Sequence, residues 1–142
     1  MNGTVKDKTA IVTGSTKGIG RAIAERLLAE GAKVTISARN DAEVAAVVKD
    51  LERAHPKRVF GRSCDVRRES EVKALFDETE RALGGVDVLV NNAGVGFFKN
   101  LEEMSLEEWN TILETNLTGV FLCSRAAIPS MRKRGGGYIL NI

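Results

Sequence analysis

The stretch TGSTKGIG, Thr13 to Gly20, is where residue types and spacing first point to chemistry. It follows the short, β-branched run KTAIVTG and opens KGIGRAIAERLLAEG, so its glycines fall in a strand-to-helix turn. Gly14 lets the chain turn sharply off the strand. Gly18 and Gly20 leave no side chain between backbone and ligand, or between helix and sheet. A helix starting there offers unpaired N–H groups and a positive dipole end to a pyrophosphate. The spacing is G-x-x-x-G-x-G, which differs from G-x-G-x-x-G and from the ATP-loop pattern. Such a turn can be a plain tight connection, but its place after the first strand makes it a candidate dinucleotide site.

Three further residues could act with it and with its own Lys17. An acid after the second strand would bind both ribose hydroxyls of NAD and repel the 2′-phosphate of NADP. The run KVTISAR ends instead in Ala38 and Arg39, with no acid before Asp41. Arg39 offers a planar fork of donors to a phosphate, and Lys17 adds a second cation in the glycine turn. Either could also be a solvated surface charge. Asp65 ends the run KRVFGRSCDV and could cap the following helix. Asn116 stands at helical spacing from Trp109, Ile112 and Val120, on or beside a face expected to be buried. A buried amide there needs hydrogen-bond partners, which neighbouring backbone could supply.

The elements that must position these residues alternate regularly. KTAIVTG, KVTISAR, KRVFGRSCDV, VDVLVNNAG and GGYILNI read as strands, separated by amphipathic helices. The first helix carries Ile19, Ile23 and Leu27 at helical spacing and closes at Gly31. Asn40 caps the second, with Glu43 placed to complete a capping box, and Ser105 with Glu108 opens another. The helix behind Ser105 carries Trp109, Ile112, Leu113, Leu117, Val120 and Phe121 on its apolar side and runs toward Arg134, with Pro129 as a possible bend. Strand–helix alternation implies right-handed βαβ units and an α/β fold built on a parallel sheet covered on both faces.

Composition narrows the function classes. The 142 residues are 43% hydrophobic and 28% charged with a formal charge of +2, as befits one globular domain. No apolar run approaches the roughly 20 residues of a membrane span, and the first ten residues lack a secretory core, so the expectation is cytoplasmic. Arg132, Lys133 and Arg134 read as a solvated helix end, and no nucleic-acid partner is expected. Cys64 and Cys123 lack C-x-x-C spacing and read as buried free thiols; no metal site is expected.

Four motifs, in order, resemble the short-chain dehydrogenase/reductase family: TGSTKGIG, CDV at Cys64–Val66, NNAG at Asn91–Gly94 and TNLTGVF at Thr115–Phe121. The stretches ISARN and NNAGVGFF are most similar to tropinone-reductase-like members. The resemblance spans essentially the whole chain and implies a doubly wound, Rossmann-type sheet, here truncated after the fifth strand. It implies that Gly14, Ser15, Thr16, Lys17, Gly18, Ile19 and Gly20 line the cofactor. By the same resemblance, Arg39 and Lys17 select NADP(H), Asp65 and Val66 lie at the adenine, and Asn92, Ala93 and Gly94 lie beside the nicotinamide ribose. Asn91 is expected to tie neighbouring strands together.

The resemblance also implies that Asn116 is one member of an Asn-Ser-Tyr-Lys tetrad, holding a water in a proton relay. Tyrosine would be the general acid/base of that tetrad, with lysine four residues on. The single tyrosine here is Tyr138, and four residues on stands Ile142. Residues 1–142 are therefore expected to be the dinucleotide-binding domain of an oxidoreductase, incomplete and inactive alone. The substrate would be a small carbonyl or alcohol, and the full-length form a homodimer or homotetramer. The alternative is a non-catalytic dinucleotide-binding module that partners a complete family member.

Overall fold

The computed structural model describes residues 4–142. Its strands are β1 (Thr9–Thr13), β2 (Lys33–Ser37), β3 (Val59–Gly61), β4 (Val88–Asn91) and β5 (Tyr138–Asn141). Between them run helices α1 (Gly18–Ala29), α2 (Asp41–Ala54), α3 (Glu69–Leu83), α4 (Leu106–Leu113) and α5 (Gly119–Lys133). All strand pairs are parallel, in the order β3-β2-β1-β4-β5. The chain winds outward from β1 to β3, then returns to the other side of β1 for β4 and β5. That reversal opens a crevice at the carboxyl ends of β1 and β4, the usual ligand position in such sheets.

Both faces of the sheet are covered over its inner strands, because alternate strand residues point to opposite sides. Ala10 and Val12 of β1 pack with Ala24 and Leu28 of α1 and Val44, Val47 and Leu51 of α2. Ile11 points the other way, into a core with Val72, Leu75 and Phe76 of α3 and Leu122, Cys123 and Met131 of α5. The expected doubly wound α/β architecture is thus observed. At the opposite end of the sheet, Arg134 forks onto both oxygens of buried Asp87 (Nε–Oδ1 2.7 Å, Nη2–Oδ2 2.8 Å). Asp87 Oδ2 also accepts from the Thr9 N–H, so the pair joins the starts of β1 and β4 to the end of α5. Arg134 is therefore no solvated helix end, and Lys133 pairs with Glu80 at 3.6 Å.

The helix termini follow the sequence in part. Gly31, at φ 87°, closes α1, and Ser105 with Glu108 forms both halves of the capping box on α4. The box expected on α2 is only half made. Asn40 accepts from the Glu43 N–H at 3.0 Å, but the Glu43 carboxylate accepts from the Thr16 hydroxyl instead. The third strand is shorter than the apolar run suggested, ending at Gly61.

Two expected apolar faces differ. Ile19 is 65% exposed. The stripe of α1 that meets the sheet is Gly20, Ala24 and Leu28, flanked by Ile23 and Leu27, and the first turn projects past the strand ends. Behind Ser105 the helix is not uniform: a π-helical stretch, Glu114–Thr118, separates α4 from α5. Trp109, Leu113, Leu117 and Phe121 are exposed, with the Arg125 guanidinium over the Phe121 ring at 4.8 Å. β5 pairs with β4 along one edge, and its four residues are exposed.

Candidate functional site

A cleft of about 300 Å³ opens at the carboxyl ends of β1, β2 and β4. Its floor is the glycine turn. Gly14 takes φ 64°, a left-handed conformation in which a side chain would be strained, and an added Cβ would lie 3.0 Å from Ala93 Cα. Gly18 takes φ 58°, and an added Cβ would meet nothing within 4 Å, so its backbone faces open space. At Gly20 the constraint is contact: a Cβ would stand 2.3 Å from the Gly14 carbonyl oxygen. The turn therefore brings the start of α1 against the end of β1.

The start of α1 is also electrostatically distinct. Its N-cap, Lys17, makes no side-chain cap bond, and its first turn carries no acid. The first turns of α2, α3 and α4 each carry two acids, Asp41 and Glu43, Glu69 and Glu71, Glu107 and Glu108. Acids normally stabilise that end of a helix. Their absence at α1 leaves unpaired N–H groups and positive potential for an external anion. These features fit a pyrophosphate.

Ser15 is fully buried and does not line the cleft. Its hydroxyl donates to Val12 O at 2.6 Å and accepts from Ser37 N at 2.9 Å, locking the turn to β2. Thr13 does similar work on the other side. Its hydroxyl accepts from the Asn92 and Ala93 N–H groups, both at 3.0 Å. The Asn92 amide donates to Thr13 O and Gly14 O, so Asn92 fastens the glycine turn to the end of β4. Asn91 donates to Asn141 Oδ1 at 2.9 Å and Ser124 Oγ at 3.2 Å, joining β4 to β5 and α5.

Arg39 and Lys17 both line the cleft, as does Thr16. Among the described residues neither cation has an ion-pair partner. Asp65 and Val66 form another wall. Asp65 does not cap α3, whose N-cap is Arg68. Its carboxylate accepts from the Arg67 N–H and guanidinium, and these bonds hold its pKa below the usual range although burial opposes them. Burial pushes the thiol of Cys64, which also lines the cleft, up to about 12.

Asn116 sits in the π-helical stretch and is exposed, not buried as its spacing suggested. Both ends of its amide are engaged with one residue of the loop after β4. Oδ1 accepts from Val95 N and Nδ2 donates to Val95 O, each at 2.8 Å. These partners lie 21 residues away, so the amide does not serve its own helix. Thr115 next to it lines the cleft with Ala93 and Gly94. Gly18, Ile19, Gly20 and Asn116 lie outside the cleft wall itself. Phe97 and Phe98 are exposed, and Phe98 touches nothing that shields it.

A family model described as short chain dehydrogenase matches residues 8–142. The chain belongs to that family. A 3beta-hydroxysteroid dehydrogenase of Mediterraneibacter gnavus is 42% identical over 96% of this chain and 50% of its own length. A D-beta-hydroxybutyrate dehydrogenase of Rhizobium meliloti is 38% identical over 95% of this chain and 53% of its own. The crystal structure of an alcohol dehydrogenase from the archaeon Thermococcus sibiricus, complexed with 5-hydroxy-NADP, superposes with a TM-score of 0.87. It is 34% identical and covers 93% of this chain and 57% of that one. The chain thus spans about half the length of the relatives it matches.

Sequence reasoning missed Thr13, Ser37, Ala38, Asn40, Glu43, Cys64, Val95 and Thr115 as wall residues. One signal pointed to some of them: Thr13 and Thr115 adjoin residues already singled out. Among the described residues, no helix is long and apolar enough to cross a membrane, and no cluster could hold a metal ion.

Proposed function

We propose that this chain is the dinucleotide-binding domain of an NADP(H)-dependent oxidoreductase that interconverts a carbonyl and a secondary alcohol. The observation that carries the cofactor choice is the pair of cations, Arg39 and Lys17, without an ion-pair partner among the described residues, in a cleft wall where β2 ends without an acid. The 2′-phosphate is the group that would neutralise them. The chain's similarity to a hydroxysteroid and a hydroxybutyrate dehydrogenase supports alcohol–carbonyl chemistry. The solved relative's 5-hydroxy-NADP supports the dinucleotide.

The bound dinucleotide would supply or accept the hydride. Gly14, Thr16, Lys17 and the start of α1 would hold its pyrophosphate, with Gly18, Ile19 and Gly20 shaping that start and Ser15 bracing it. Arg39 would hold the 2′-phosphate, Asp65 and Val66 the adenine, and Asn92, Ala93 and Gly94 the nicotinamide half. Asn116 would orient a water for proton transfer. The family's Tyr-x-x-x-Lys does not occur in these residues, so we expect no turnover from them alone. In a polypeptide of the relatives' length, that pair and the serine would come from the other half. We further propose a cytoplasmic setting, with which two free buried cysteines agree, and a homo-oligomeric full-length form.

Titrating the chain with NADPH and NADH, following nicotinamide fluorescence, tests the cofactor reading. Tighter NADPH binding is expected; equal or reversed affinities would refute it.

A further inference from the structure

The segment after β3 touches both the cleft and the π-helical stretch. Asp65 and Val66 line the cleft. Arg67, the next residue, turns back on Asp65 with two nitrogens of its fork: Nε lies 2.9 and 3.1 Å from the two carboxylate oxygens and Nη2 lies 2.7 Å from Oδ2. Its remaining nitrogen, Nη1, stands 4.0 Å from Glu114 Oε2. Glu114 is the first residue of the π-helical stretch. Just past the other end of that stretch, Gly119 packs so closely on Val66 that an added Cβ would lie 2.6 Å from Val66 Cγ2.

Asp65 and Val66 thus form one wall of the cleft, while Arg67 faces Glu114 at one end of the π-helical stretch and Val66 packs on Gly119 just past the other. The stretch itself carries Thr115, in the same cleft, and Asn116, clamped to Val95. π-helical turns inside α-helices are rare and occur frequently at functional sites. A guanidinium suits a bridging role, since its planar fork can hold one carboxylate bidentately and still face a second.

We infer that Arg67 is a positioning residue: by bridging Asp65 to Glu114, it couples occupation of the adenine end of the cleft to the placement of Asn116. A base meeting Asp65 changes the environment of the carboxylate on which Arg67 rests. Arg67 transmits that change to Glu114, and the π-helical stretch moves Asn116 against Val95. The inference rests on the reading of the cleft as a dinucleotide site, and the test separates the two.

The probe is adenosine 2′,5′-bisphosphate, which carries the adenosine half of NADP and nothing of the nicotinamide half. Its binding to the ¹⁵N-labelled chain is followed by NMR. The expected result is a shift of the Asn116 side-chain amide and the Val95 N–H, along with amides near Arg39 and Asp65. In Arg67→Met, affinity should fall roughly 3- to 10-fold, and at saturation the Asn116 shift should vanish. Arg67→Lys should restore part of it. Glu114→Gln, a change at an exposed side chain, should alter affinity by less than about twofold and still weaken the Asn116 shift. An unmoved Asn116 in the parent chain, or an undiminished shift in both Arg67→Met and Glu114→Gln, would overturn the coupling alone. No shift anywhere at millimolar probe would overturn the dinucleotide reading, and the coupling with it.

Discussion

Gly20 lies so close to Gly14 that a methyl group on Gly20 would stand 2.3 Å from the Gly14 carbonyl oxygen and 2.4 Å from the Asn92 amide nitrogen. The obstacle is backbone at one side and, at the other, an amide nitrogen held by two hydrogen bonds, so neither can yield cheaply. Gly20→Ala should destabilise the chain by about 1–3 kcal/mol through overpacking and weaken dinucleotide binding, because the start of α1 must move off the turn. Urea unfolding and NADPH titration of the variant check both. Wild-type stability together with wild-type affinity would show that the turn is looser than the contacts imply.

The charge of Arg39 should set cofactor choice. Replacing it by glutamate removes a phosphate partner and adds a repelling acid where NAD-specific sheets carry one. NADPH affinity should fall roughly 10- to 100-fold while NADH affinity stays level or rises. Parallel fluorescence titrations give the ratio directly, and an unchanged ratio would remove Arg39 from the account.

Acid should weaken the fold through Asp87. Burial opposes its ionisation, but Arg134 and the Thr9 N–H outweigh burial and lower its pKa. A carboxylate depressed in the folded state contributes stability that is complete above its unfolded pKa, about 3.9. That contribution is lost as pH falls through the lower folded value. Asp65, held down by Arg67, adds in the same sense. Asp87→Asn should therefore cost about 1.5–3 kcal/mol near pH 7, and the gap to the parent chain should close below about pH 4. Urea midpoints across that range would expose a gap that stays constant, which would contradict the assignment.

The thiols should be inert in the folded chain. Burial pushes Cys64 and Cys123 up to about 12, so neither offers thiolate at neutral pH. Iodoacetamide at pH 8 should modify neither until denaturant is added. Rapid native labelling of Cys64, which borders the cleft, would show that this wall opens.

The strands, their order of appearance and the glycine turn were legible because their signals are local. A β-branched run, a glycine at a left-handed position and a capping serine each act within a few residues. The side-chain assignments that failed depended on distant partners. Asn116 obeyed helical spacing only up to the π-helical stretch, which shifts register and turns its amide toward Val95, 21 residues away. Glu43 had the right spacing for a capping box but found the Thr16 hydroxyl across the cleft. Arg134 looked solvated because its partner, Asp87, lies 47 residues earlier in sequence. Ile19 matched an apolar stripe that the sheet does not extend far enough to cover.

The most direct test is a crystal structure of the chain with NADP⁺. The account predicts the pyrophosphate at the start of α1, the 2′-phosphate within hydrogen-bond reach of Arg39 and the adenine against Asp65 and Val66. A dinucleotide bound elsewhere, or one whose 2′-phosphate points away from Arg39 into solvent, would contradict it.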